Sequence, residues 1–248
     1  MTFQRMGYIG KSFSMGALGI IGTLVACGGS GITSTIAQSV ASPYVLVASS
    51  YTPHASAAND LKWSTAQGGD VYMGSGGNFV YGNYGIFTQP DIDYHQSVGI
   101  QYNHTSALAS TDYIYTKIQT PQNAGLDVSQ SGNLMIQMGN GVDLAVQTNS
   151  PTTFTLEIVG GAYNSTTYTY ANSCTVNVPL TTTPATANNL RVYTVALSSF
   201  GSCTGTLAAL KSDLKAVVVK VLGANDTRAT STTLNYVLPK VGLVAFSR

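Results

Sequence analysis

The chain has 248 residues, of which only 8% are charged, with 11 Lys+Arg against 10 Asp+Glu. An ordinary soluble domain carries roughly 25% charged residues. This scarcity excludes a nucleic-acid binder resting on phosphate neutralisation and a coiled coil laced with Glu and Lys. Disorder is excluded too, because 44% hydrophobic residues at a net charge of +1 can build a core.

Residues 1–11 carry Arg5 and Lys11 and no acid, and the run from Ser12 to Ala26 is uncharged and ends in small residues. A cationic start, a short apolar stretch and a small-residue exit make a secretory signal peptide. The run is too short, and too interrupted by Gly and Ser, for a permanent span of about 20 apolar residues. The exit, Leu24-Val25-Ala26-Cys27, resembles the lipobox of bacterial lipoproteins. That resemblance implies loss of residues 1–26 and acylation of Cys27. It also implies a membrane partner through the acyl chains and a place in the bacterial cell envelope. Gly28 after the Cys, in place of Asp, points to the outer membrane or cell surface.

The chain has three cysteines, an odd number for an exported protein. If lipid takes Cys27, Cys174 and Cys203 remain as a disulfide pair, closing a loop of about 30 residues worth roughly 3 kcal/mol. Two unpaired buried thiols are the alternative. Residues 27–48 then read as the lipidated Cys and a Gly/Ser tether, although Pro43–Val47 already has strand character. Residues 49–248 read as one all-β domain.

Within that domain, short β-branched and aromatic segments alternate with Gly, Asn, Pro and Ser clusters. Gly68–Gly85 lacks the Gly-Lys-Ser/Thr ending of a phosphate loop and reads as a hairpin with permissive turns. Thr111–Thr120 alternates, with Ile114 and Ile118 on one face and Tyr113, Tyr115 and Lys117 on the other. Leu134–Met138, Thr153–Val159 and Leu190–Leu197 are further strands. In the second, Phe154, Leu156 and Ile158 face in while Thr155 and Glu157 face out. Thr206–Lys215 is a short helix, the nearly continuous apolar run Ala216–Leu222 a central strand, and Val241–Phe246 the last one. Such a count of strands predicts an antiparallel two-sheet β-sandwich.

Several of these segments together, Leu126-Asp127-Val128-Ser129, Tyr193–Phe200, Leu214–Val221 and Val241–Phe246, resemble the jelly-roll, galactose-binding-like carbohydrate-binding modules. The resemblance covers residues 110–248 and implies a non-catalytic domain that binds polysaccharide or surface glycan. Members of that family often hold a structural Ca²⁺ through an Asp at the start of a last strand. Here Tyr236–Lys240 stands in its place, so no cofactor is expected and a structural Ca²⁺ is only what the resemblance allows.

The polar residues give few routes to catalysis. Glycoside hydrolysis needs two positioned carboxylates, and Glu157 is the only Glu, with no acidic neighbour in sequence. Gly-x-Ser-x-Gly does not occur, and His54 and His104 read as surface residues. If Pro90–His95 is a strand, Asp91, Asp93 and His95 share one face and could hold Zn²⁺ or Mn²⁺; a solvated edge strand is the plainer reading. Flat aromatic rings and amides suit sugars, and Trp63, Tyr72, Asn78, Tyr81, Asn83 and Tyr84 form the candidate ligand surface. The competing reading is that these tyrosines pack the sheets, or that tyrosine patches and open sheet edges make a structural or adhesive protein that self-associates.

Overall fold

The structure is a computed structural model that describes residues 38–39, 44–47, 51–53, 62–65, 69–88, 96–141, 153–179, 191–226, 230 and 236–248. In chain order the elements are β1 (Gln38–Ser39), β2 (Tyr44–Val47), β3 (Tyr51–Pro53), β4 (Lys62–Thr65), β5 (Asp70–Gly76), β6 (Phe79–Thr88), β7 (Gln96–His104) and β8 (Tyr113–Gln119). They continue with β9 (Leu126–Asp127), β10 (Asn133–Gly141), β11 (Thr153–Asn164), β12 (Thr169–Pro179), β13 (Arg191–Ala196), β14 (Gly201–Thr204), α1 (Leu207–Ser212), β15 (Leu214–Leu222) and β16 (Tyr236–Ser247).

Two sheets form. The larger runs β14-β12-β11-β15-β8-β5-β4-β3, with β9 on β15 and β1 beside β9 in a short parallel pair; the smaller runs β13-β10-β16-β7-β6, with β2 on β16. The other pairings are antiparallel. Pairing therefore already involves Gln38–Ser39 and Tyr44–Val47, upstream of the residue 49 at which the sequence placed the start of the sandwich.

The core lies between the sheets, because each contributes one alternating face to it. Val71, Ile114, Ile118, Phe154, Leu156, Val217 and Val219 come from the larger sheet, and Leu134, Ile136, Met138, Val244 and Phe246 from the smaller; all are fully buried. β15 is central as its apolar run predicts, flanked by β11 and β8. The helix is shorter than expected, because the chain re-enters the sheet at Leu214. Its start is fixed by Thr206, whose hydroxyl accepts the Ala209 N–H at 3.1 Å.

Two expectations are corrected. Gly68–Gly85 is not a hairpin: β5 belongs to the larger sheet and β6 to the smaller, so the Gly77-Asn78 turn carries the chain across the sandwich. Gly77 sits at φ 74°, and a Cβ there would collide with the Asp112 carboxylate, so glycine is required at this corner. His104 is not a surface residue. It is 4% exposed, packed edge-on against its register partner Phe79 at 6.3 Å, with Nδ1 3.1 Å from the Ser106 carbonyl. Cys174 and Cys203 are joined, fastening edge strand β14 to β12.

Candidate functional site

The outer face of the larger sheet carries a groove. Alternation along β8 sends Ile114, Thr116 and Ile118 into the core, which leaves Tyr113, Tyr115 and Lys117 outside. The next strand, β5, places Gly76 opposite Tyr113 and Gly74 opposite Tyr115. A Cβ at Gly76 would lie 2.8 Å from the Tyr113 ring, and one at Gly74 would lie 3.0 Å from the Tyr115 ring. Both rings therefore lie down across glycine backbone instead of standing off the sheet. Their centroids are 6.1 Å apart with planes tilted by 39°. A pair of glycines opposite a pair of tyrosines has made an aromatic floor.

Charged groups sit beside that floor in fixed positions. Lys220 of β15 is the register partner of Tyr115; its Nζ lies 5.7 Å from the Tyr113 ring centre and 2.6 Å from Glu157 Oε2. Lys117 is the register partner of Tyr72, and its Nζ lies 4.6 Å over the Tyr72 ring. Partial burial of the ammonium holds the Lys117 pKa below the usual lysine value. The Tyr72 hydroxyl is 3.4 Å from Asp70 Oδ2.

One wall comes from the β11–β12 hairpin. A register shift between Gly160 and Tyr163 bends it, and Tyr163 packs against its partner Tyr170 with centroids 5.0 Å apart and planes tilted by 51°. At the tip, Asn164 Oδ1 accepts the N–H groups of Thr166 and Thr167 at 2.9 and 3.2 Å, closing a tight turn. Tyr168 follows at φ 57° and is 79% exposed. The Tyr170 hydroxyl donates to Asn123 Oδ1 at 3.1 Å. Burial, with Tyr163 and Tyr72 nearby, pushes its pKa up to about 12 despite that bond. The resulting cavity of about 590 Å³ is lined by four tyrosines, Tyr113, Tyr115, Tyr168 and Tyr170, among other residues. Among the described lining residues Glu157 is the one carboxylate, and it is ion-paired.

The residues expected at the site from sequence do not converge. Tyr72 lies on β5 beside the groove, and Asn78 lies at the corner with its Nδ2 donating to the Ala107 carbonyl at 2.9 Å. Tyr81, Asn83 and Tyr84 are on β6 in the other sheet, in register with Tyr102, Gln101 and Ile100. Trp63 is on β4, in register with Val71. Cys27, Asp91, Asp93 and His95 lie outside the described residues. Among the described residues no cluster of three or more His, Cys, Asp or Glu side chains could hold a metal.

The tyrosines of β8 and of the β11–β12 tip were not on the expected ligand surface. A sequence signal for them existed: the spacing Gly74-x-Gly76 matches Tyr113-x-Tyr115, and three tyrosines fall within Tyr163–Tyr170.

No family profile and no curated protein matches the chain. Among solved structures it is similar to the family 11 carbohydrate-binding module of the cellulosomal cellulase Lic26A-Cel5E of Clostridium thermocellum, at 10% identity and TM-score 0.41, covering 71% of this chain and 86% of that one. It is similar to PfGH50B at 13% identity and TM-score 0.37, covering 71% of this chain. It is also similar to an exo-beta-agarase at 14% identity and TM-score 0.35, covering 68% of this chain. The matched regions make up only 24% and 23% of those two longer chains. At such values the groove has to be understood from its own residues.

Proposed function

We propose that the chain is a non-catalytic glycan-binding protein and that the groove on the larger sheet is its sugar site. The observation that carries the reading is the pair of tyrosine rings laid over Gly74 and Gly76. A ring face is apolar and electron-rich, so it suits the C–H face of a pyranose, whose hydroxyls remain free at the rim. Ser173, Thr167, Thr169 and Thr204 line the same groove and supply donors and acceptors for those hydroxyls. A shallow cavity with a rigid aromatic base and few charges fits an extended, hydroxyl-rich chain better than a compact metabolite.

The carboxylates support binding without turnover. Hydrolysis of a glycosidic bond needs an acid and a second carboxylate about 5–9.5 Å apart. Among the described residues the groove lining offers Glu157 alone, already bonded to Lys220. The same proposal includes export and acylation at Cys27, which would display the groove at the cell envelope.

The test is calorimetric titration of the full-length chain with a panel of soluble polysaccharides. Saturable binding that Tyr115→Ala weakens by about fivefold, the effect of losing one stacked ring at about 1 kcal/mol, is the expected result. Concentration-dependent oligomers with no glycan bound would favour the self-associating alternative and dispose of the sugar site.

A further inference from the structure

We propose that the glycan is an acidic one, and that Lys117 recognises its carboxylate or sulfate; the inference deepens the sugar-site reading and rests on it. Among the described residues two ammonium groups line the groove, and they are in different situations. Lys220 Nζ is held 2.6 Å from Glu157, so its charge is already matched. Lys117 has the Tyr72 ring on one side and Val218 as its register partner on the other, and no carboxylate pairs with it among the described residues.

The position is costly unless something anionic arrives. An ammonium withdrawn from water and left with a ring quadrupole recovers only about 0.5–2 kcal/mol from that ring, less than a matched carboxylate offers at the same depth. The depressed pKa follows from the same partial burial. A groove for a neutral glycan would lose nothing with an uncharged side chain here. The charge is also scarce: only 8% of the chain is charged, so a Lys with no carboxylate partner among the described residues, set in a tyrosine-lined groove, is not background.

The spacing fits as well. Lys117 is two residues beyond Tyr115 on the same face of β8, about 7 Å along the strand. A pyranose stacked on the Tyr115 ring therefore brings a substituent at its edge, such as a C5 carboxylate or a sulfate ester, toward Nζ. Tyr115 binds the ring and Lys117 reads the charge.

The experiment uses paired ligands that differ only in charge, titrated into the full-length chain. Polygalacturonate is compared with its fully methyl-esterified form, and a sulfated galactan with the same galactan desulfated, so the two arms separate carboxylate from sulfate. In at least one arm the anionic form should bind about tenfold tighter at low salt, and the difference should shrink at high salt. Lys117→Met should abolish the difference by bringing the anionic form down to the affinity of the neutral one, while Lys117→Arg keeps the preference. Because Met retains the apolar stem, a role in packing alone would leave the preference unchanged in that variant, and such a result overturns the assignment. Equal binding of charged and neutral forms by the native chain overturns the acidic-glycan inference while leaving the sugar site standing. Binding of no glycan at all overturns both.

Discussion

Replacing Gly74 and Gly76 together by valine separates the aromatic floor from the fold. Neither glycine has a positive φ, so valine is conformationally acceptable at both positions. The Cβ atoms would sit 3.0 Å from the Tyr115 ring and 2.8 Å from the Tyr113 ring, against an ordinary carbon–carbon contact of about 3.5–4.0 Å. The γ-methyls then occupy the space of the rings, which must swing off the sheet. Valine in a strand gains up to about 1 kcal/mol over glycine. Uncovering roughly 50 Å² of ring at about 25 cal/mol per Å² costs a little over 1 kcal/mol per site. The two effects nearly cancel, so calorimetry should find the melting temperature within about 4 °C of the native value. Binding has no such compensation. Losing two stacked rings at about 1 kcal/mol each weakens glycan affinity roughly thirtyfold. The reasoning is refuted if the double variant binds glycan as the native chain does, or if it melts so early that the glycines must serve the core.

Other perturbations give equally definite outcomes. Below pH 10 the native stabilisation linked to Tyr170 is complete, and it is lost as pH rises through about 12, because the unfolded chain releases this proton first. The rise from 10.0 to about 12 corresponds to about 2.7 kcal/mol, and solvent screening of the half-exposed ring leaves roughly half of that; urea unfolding of Tyr170→Phe should therefore lose less stability than the native chain on alkalinisation. Reducing Cys174–Cys203, 29 residues apart in sequence, removes about 3.5 kcal/mol on the chain-entropy model and should lower the melting temperature by roughly 10 °C. Glu157→Gln frees the ammonium of Lys220, so affinity for an anionic polysaccharide should rise several-fold in titrations at low salt; unchanged affinity would mean that Lys220 does not face the ligand.

What could be read from sequence was what neighbours along the chain decide. The alternation of Thr111–Thr120 correctly assigns Ile114 and Ile118 to the core and Tyr113, Tyr115 and Lys117 to the outer face, because side-chain period 2 is local. The buried run of β15 and the short helix before it are legible for the same reason. The floor of the groove is not local: it needs Gly74 and Gly76 of β5 to align with residues of β8 some forty positions later, and register across the sheet comes from tertiary pairing. The Gly77-Asn78 corner has the composition of a hairpin turn, and only the partners of the flanking strands reveal that it joins two sheets. From sequence His104 reads as a surface residue; its burial follows from standing opposite Phe79.

The low charge of the chain and the form of the groove have one physical origin. An outer sheet face normally stays soluble by carrying Lys, Glu, Thr and Ser on alternate positions. Here tyrosines fill many of those positions, each with an apolar body and a polar rim. Such a face tolerates water without charge and still offers broad apolar area to a partner that is itself both apolar and hydroxylated. On a surface of this kind the few ionic groups become selective, since little else screens or competes with them. Lys220 is neutralised by Glu157 within the sheet, whereas Lys117 keeps its charge beside the rings. Shape and stacking would then admit glycans as a class, and a single ammonium would choose among them.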